Sequence, residues 1–255
     1  MPTYRGGRHE HGQNYLTDRP TIAAFTRLVA DSTGPIIEIG PGRGALTREL
    51  HRLHRPLTAV EIDPRSVAAL GDALPGVRIV HADFLDWRLP GSPHVIAGNV
   101  PFHLTTAILR KLLHAPGWSR SVLLVQWEVA RRRAGVGGAS MMTAQWWPWF
   151  EFGVDRRVHR SALRPAPSVD GGILVMNRRA QPLIVDRDRA AYREFVHRVF
   201  TGPGRGIAAI SAAASGLPRR EAARRVARIG IAPERLPKDL SAEQWEVLFQ
   251  VMRRQ

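Results

Sequence analysis

Residues 36–47 read Ile-Ile-Glu-Ile-Gly-Pro-Gly-Arg-Gly-Ala-Leu-Thr. The β-branched run Ile36-Ile37-Glu38-Ile39 has the composition of a buried strand. Gly40, Gly42 and Gly44 then fall at every second position, and Leu46 and Leu50 continue at helical spacing. Strand, tight turn and helix in that order open a nucleotide-type βαβ unit. Glycines let the backbone turn sharply and approach a ligand without an intervening Cβ. The G-x-G-x-G spacing, preceded by Glu38, differs from the G-x-G-x-x-G of dinucleotide enzymes. No Lys-Ser/Thr pair follows, which excludes a phosphate-cradling P-loop. A carboxylate aimed into such a loop suits a cationic ligand.

The segments that follow supply more strand ends. Residues 57–62 read as a second strand, with Glu61 at its end, 19 residues beyond Gly42. An acid there can accept both ribose hydroxyls of an adenosine. A helix over 64–74 and a third strand over 77–80 lead to His81-Ala82-Asp83. In an open α/β sheet the carboxyl ends of strands line the ligand crevice, so Asp83 is placed to accept from an adenine amino group. S-adenosylmethionine combines an adenosine with a sulfonium and an ammonium, and fits this set.

A fourth strand over 94–97 runs into Gly98-Asn99-Val100-Pro101-Phe102. Asn-x-Pro-aromatic at a strand end suits the methylation of an exocyclic amine. Such a nitrogen is a poor nucleophile, because its lone pair is delocalised into the ring. The Asn99 side-chain oxygen and the Val100 carbonyl can each accept one amine hydrogen. That favours a tetrahedral nitrogen and stabilises the positive charge that develops on it. Pro101 stiffens the turn, and Phe102 offers a face on which a flipped-out base stacks.

The 255 residues suffice for one large domain and a small one, and 44% hydrophobic content supports a full core. No run of 18 apolar residues occurs, so no membrane span is expected. The polar N-terminus has no signal-peptide core. A cytoplasmic protein without membrane contact follows as the expectation. The chain has no cysteine, which excludes disulfides and thiolate metal sites. Its ten histidines show no ligand spacing, so no metal is expected. The net charge of +15 points to a polyanionic partner. Almost all of that charge is arginine, whose fork matches phosphate oxygens.

Toward the N-terminus, residues 4–12 form a basic arm, read equally well as a loose end or an RNA contact. Asp18 caps a helix that carries Ile22, Phe25 and Val29 on one face. Beyond Phe102 come a helix over 105–113 and a fifth strand over 122–126. Arg131-Arg132-Arg133 and the glycine-rich 135–138 make a basic loop, suited to phosphate contact. The aromatic stretch 146–152 reads chiefly as sheet and core. A last strand spans 172–177. After 178–182 only helical periodicity remains, in stripes through Tyr192, Phe195 and Val199, through Ala222 and Val226, and through Trp245, Leu248 and Met252. Ser241 and Gln244 form a capping box on the last of these. The expected domains are a Rossmann-like α/β unit, 1–178, and a small all-helical unit, 179–255.

The motifs G-Q-N-Y-L (12–16), E-I-G-P-G-R-G-A-L-T (38–47), V-E-I-D (60–63), H-A-D (81–83), G-N-V-P-F (98–102) and L-R-P-A-P-S-V-D (163–170) occur in one order. This order resembles the ribosomal RNA adenine dimethyltransferase superfamily, and most of all its Erm branch. The resemblance implies S-adenosylmethionine-dependent methylation, once or twice, of an adenosine N-6 amine in 23S rRNA. It also implies resistance to macrolides, lincosamides and streptogramin B. The neighbouring branch, which acts on small-subunit rRNA, shares nearly all the motifs. A non-catalytic RNA-binding protein that kept the fold is the alternative from another class. The matching Asn14, Leu16, Gly40, Glu61, Asp83 and Asn99 would contact the cofactor, beside Glu38 and Gly42. Phe102, Leu163, Arg164 and the three arginines 131–133 would meet the RNA, with the protein as a monomer. Two positions depart from the family pattern. Tyr15 and Leu163 stand where phenylalanine is usual, and the second puts efficiency in question, and with it the second methylation.

Overall fold

The computed structural model describes residues 14–253. The basic arm at 4–12 and the first two residues of the G-Q-N-Y-L motif lie outside them. The chain forms two compact units, one of 1–130 and 154–176, the other of 131–153 and 177–255.

In the first unit, β1 (Tyr15–Leu16) precedes α1 (Arg19–Ala30), whose N-cap Asp18 accepts from the Thr21 N–H. Then come β2 (Ile36–Ile39), α2 (Ala45–His51), β3 (Leu57–Glu61), α3 (Pro64–Ala73) and β4 (Arg78–His81). The chain returns through β5 (His94–Asn99), α4 (Thr105–His114) and β6 (Trp118–Gln126), followed by α5 (Trp127–Arg133). After α6 (Met141–Trp146) come β7 (Phe150–Val158), β8 (Leu163–Arg164) and β9 (Gly171–Arg178). The seven-stranded sheet has the order β4-β3-β2-β5-β6-β9-β7, and β4, β3, β2, β5 and β6 are parallel.

That order fixes the site. The chain winds outward from β2 through β3 to β4, then restarts on the other side of β2 with β5. The carboxyl ends of β2 and β5 therefore flank the point where the winding reverses, where open α/β sheets hold ligands. All four β2 residues are buried, including Glu38. β2 and β5 approach so closely that a Cβ on Gly98 would meet the Ile39 carbonyl at 2.7 Å. Backbone cannot give way there as a side-chain tip can. Gly98→Ala should lower stability by about 1–3 kcal/mol. The check is a lower urea midpoint at unchanged slope.

β1 and β8 form a separate two-stranded ribbon in which Tyr15 faces Arg164 and Leu16 faces Leu163. Side chains alternate across a strand. Leu16 and Leu163 accordingly turn into the core, 3% and 0% exposed, while Arg164 is exposed.

The second unit is not only C-terminal. Residues 131–153 belong to it as well. The reason is aromatic packing: Trp149 meets Tyr192 edge-on at 5.7 Å, and the Tyr192 hydroxyl donates to the Ala144 carbonyl. Trp146, Trp149 and Phe150 are all buried, as core. The helices α7 (Arg189–Thr201), α8 (Gly206–Ser215), α9 (Arg219–Arg228) and α10 (Ala242–Met252) follow. The capping box of Ser241 and Gln244 is present on α10. The sequence reading missed α8, whose residues Gly-Ile-Ala-Ala-Ile-Ser-Ala-Ala-Ala-Ser have no polar face to give a period. Among the described residues no helix is long and apolar enough to cross a membrane.

Candidate active site

Two adjoining cavities lie at the carboxyl ends of β2 and β5 and share Gly40 and Pro101. One is lined by Glu61, Ile62, Asp83, Phe84 and His103, the other by Asn14, Leu16, Glu38, Gly42 and Asn99 to Phe102. The expected cofactor residues thus line two cavities that adjoin at Gly40 and Pro101. Gly40 has φ +61° and open space where a Cβ would point. Gly42 has φ +53°, and a Cβ there would meet the Tyr15 ring at 2.8 Å.

Glu61 is tightly held. Its Oε2 accepts from the Gly42 N–H at 2.9 Å, and its Oε1 from the N–H groups of Ile62 and Asp63 at 2.9 and 3.0 Å. The carboxylate thereby ties the glycine loop to the end of β3; both acceptor sites of Oε1 are taken, and Oε2 keeps a lone pair for a further donor. Asp83 Oδ1 accepts from the Leu85 N–H at 2.7 Å, which shapes the turn after β4. Lys111, on α4, braces the same turn by donating to the Leu85 and Trp87 carbonyls. Nothing in the sequence tied Lys111 to the turn after β4, because the contact joins separate elements.

The Asn99 amide is oriented. Its Nδ2 donates to the Asn14 carbonyl at 2.6 Å. The reverse orientation would set oxygen against oxygen, so the side-chain oxygen is left as an acceptor. The Val100 N–H donates to the Leu124 carbonyl at 3.2 Å, and its own carbonyl takes no hydrogen bond among the described residues. Two acceptors of the kind an amine needs are therefore set on adjacent residues. Phe102 is half-buried against the core and lines the same cavity.

Residues 5–254 match the ribosomal RNA adenine dimethylase family. The chain belongs to that family. It is 58% identical to an rRNA adenine N-6-methyltransferase of Corynebacterium diphtheriae, over 82% of this chain and 84% of that one. It is 46% identical to the mycinamicin-resistance protein MyrB of Micromonospora griseorubida, over 97% of this chain and 80% of that one. The solved structure of the 23S rRNA methyltransferase ErmE superposes with a TM-score of 0.86 at 35% identity, covering 94% of this chain and 99% of ErmE. The α/β sheet expected from the glycine loop is thus the methyltransferase sheet of the rRNA adenine dimethylases, and the protein is an rRNA adenine methyltransferase.

Within this dimethylase site Glu38 is not a plain anion. It is 1% exposed, and its Oε2 and the Thr47 hydroxyl find no partner in bonding geometry among the described residues. Burial pushes the Glu38 carboxyl up to about 8; the nearby Thr47 hydroxyl opposes the rise and the Glu61 charge adds to it. In the ligand-free protein at neutral pH Glu38 is therefore mostly protonated, where an ionised acid was expected. A buried carboxyl oxygen without a partner, open space at Gly40 and the bonded Glu61 together fit a nucleoside that carries a cation.

The residues expected to meet RNA are less uniform. Arg164 is exposed and lines the Asn99 cavity. Leu163 does not reach it: the alternation of β8 turns it into the core at 0% exposure. In the second unit Arg133 donates to the Ser140 hydroxyl at 2.5 Å, and Arg131 lies over the Gly137 turn. Only Arg132 of the three is exposed.

If the bonded Glu61 carboxylate also receives the ribose hydroxyls, Glu61→Ala should weaken S-adenosylmethionine binding by about tenfold or more. An acceptor contact of about 1 kcal/mol or more is lost, and the glycine loop is loosened. Unchanged affinity by calorimetry would remove Glu61 from the cofactor site.

Proposed function

We propose that this rRNA methyltransferase transfers methyl groups from S-adenosylmethionine to the N-6 amine of an adenosine in 23S rRNA. The consequence is resistance to macrolides, lincosamides and streptogramin B. The observation that carries the chemistry is the Asn99 amide, whose nitrogen is committed to Asn14 while its oxygen is free to accept. S-adenosylmethionine supplies an electrophilic methyl group on a sulfonium. Glu61, Asp83, Gly40, Gly42, Asn14, Leu16 and Glu38 hold that cofactor. Asn99 and the Val100 carbonyl each accept one hydrogen of the target amine, which aims its lone pair along the free direction. Pro101 fixes the turn, and Phe102 carries the base on its face. Leu163 supports this cavity from the core, Arg164 stands at its rim, and Arg132 with its neighbours Arg131 and Arg133 offers a further phosphate contact.

The large-subunit substrate is favoured by likeness. Relatives named rRNA adenine N-6-methyltransferase and MyrB reach 58% and 46% identity, and ErmE, a 23S rRNA methyltransferase, 35%. The small-subunit methyltransferase A of Geobacter sulfurreducens reaches 32%, over 93% of this chain and 92% of that one. The protein works in this reading as a monomer on RNA in the cytoplasm. Protein-free 23S and 16S rRNA, each incubated with the enzyme and tritium-labelled cofactor, test it. Label should enter 23S rRNA. Label in 16S rRNA alone would assign the protein to the small-subunit branch, and label in neither would make it a binder. RNA affinity should also fall steeply and linearly in the logarithm of salt concentration, given the net charge of +15. A flat dependence would mean that the charge is not used in binding.

A further inference from the structure

We propose that Arg43 and Arg164 form a clamp on the phosphodiester backbone of the target nucleotide, with Tyr15 supporting Arg43. The proposal rests on the RNA substrate argued above and adds a residue, Arg43, that sequence motifs alone leave inside the cofactor loop.

The cavity that holds Asn99 to Phe102 is lined by two cationic side chains, Arg43 and Arg164. Both are exposed. Neither makes an ion pair among the described residues, whereas Arg157, Arg179, Arg189, Arg225 and Arg253 are paired with Asp170, Glu151, Asp186, Glu221 and Asp188. These two charges at the cavity are among those without an ion-pair partner.

Arg43 is also held in place, and Arg164 projects from the same ribbon as Tyr15. The Arg43 guanidinium lies 4.7 Å from the centroid of the Tyr15 ring, a cation–π contact. That ring in turn rests on Gly42, where any Cβ would collide with it. Arg164 is the strand partner of Tyr15 across the β1–β8 ribbon, so their side chains leave the ribbon on the same face. The Tyr15 ring therefore holds Arg43 on the face of the ribbon from which Arg164 also projects.

The chemistry follows from what a flipped nucleotide brings with it. Its base can enter between Asn99 and Phe102, but its phosphates stay on the polymer strand, outside the cavity. They remain at the rim, beside the guanidinium groups. Arginine forks bind phosphate oxygens in two-pronged fashion. Such contacts fix the position of the strand and do not read its sequence.

A second oxyanion has to be separated from this one, the carboxylate of the cofactor's methionine moiety. The test uses the full-length enzyme, a stem-loop fragment of 23S rRNA and S-adenosylmethionine, with Arg43→Met, Arg164→Gln, the double variant and Arg43→Lys. Thermal unfolding checks that all variants fold. Each single charge removal should raise KM for RNA by about tenfold and lower the salt slope of RNA binding by about 1, the double variant by about 2. Cofactor affinity should be unchanged. Arg43→Lys should keep the slope, because the charge survives even where the fork is lost. Unchanged KM and slope in Arg43→Met would overturn the clamp. So would a loss of cofactor affinity with RNA binding intact, which would assign Arg43 to the cofactor carboxylate. A wild-type enzyme that methylates no rRNA would instead remove the substrate reading itself.

Discussion

Asn99→Ala should slow methyl transfer to rRNA by about a hundredfold or more and leave RNA affinity nearly unchanged. The loss of one pre-placed acceptor at a developing charge has that size. Asn99 sits at the end of β5 inside the cavity, whereas the charges that give affinity lie on the surface. The structure adds a second effect. Removing the side chain also frees the Asn14 carbonyl, which now accepts from Nδ2 at 2.6 Å. Asn99→Asp separates the two. It keeps an acceptor oxygen but sets a carboxylate oxygen against the Asn14 carbonyl, so it should also be slow. Single-turnover rates beside RNA and cofactor dissociation constants check this. A near-normal rate in Asn99→Ala would remove the proposed role.

The second large effect is on stability. Glu38 has an ordinary carboxyl value of 4.5 when unfolded and about 8 when folded. Below 4.5 both states hold the proton, and the residue adds no pH dependence. Between 4.5 and 8 the folded protein holds a proton that the unfolded chain has lost, so stability falls as pH rises through this window. Above 8 the cost is fully present. At about 1.4 kcal/mol per pH unit it is on the order of 5 kcal/mol. Glu38→Gln keeps the shape and removes the titration. Its stability relative to the wild type, measured by urea unfolding of the ligand-free proteins, should therefore improve steadily from pH 5 to pH 8.5. Parallel pH profiles for the two proteins would show that Glu38 is ionised in the folded state.

Much of this was legible in the sequence, for a physical reason. Strand ends and the loops that follow them are local, so the glycine loop, Glu61, Asp83 and Asn99 could each be placed by reading a few residues. Their convergence then followed from the rule that ligands sit at the carboxyl ends of parallel strands. What stayed hidden was non-local. The β1–β8 ribbon joins Tyr15 to Arg164, and two residues on each side carry no pattern of their own. Without it, neither the burial of Leu163 nor the pairing of Arg43 with Tyr15 could be read. The state of Glu38 was hidden too, since its charge depends on how completely the sheet and Thr47 enclose it. The grouping of the aromatic residues 146–150 is hidden for a related reason: they read as core, but which core they join depends on Tyr192, over 40 positions later.

This family member is proposed to methylate an adenosine amine of 23S rRNA. Mass spectrometry of 23S and 16S rRNA nucleosides, from cells with the protein and cells without it, tests that most directly. The account predicts N-6-methylated adenosine, carrying one or two methyl groups, at a defined position of 23S rRNA only when the protein is present, and none when it carries Asn99→Ala. Identical 23S rRNA nucleosides in both cell types would contradict it.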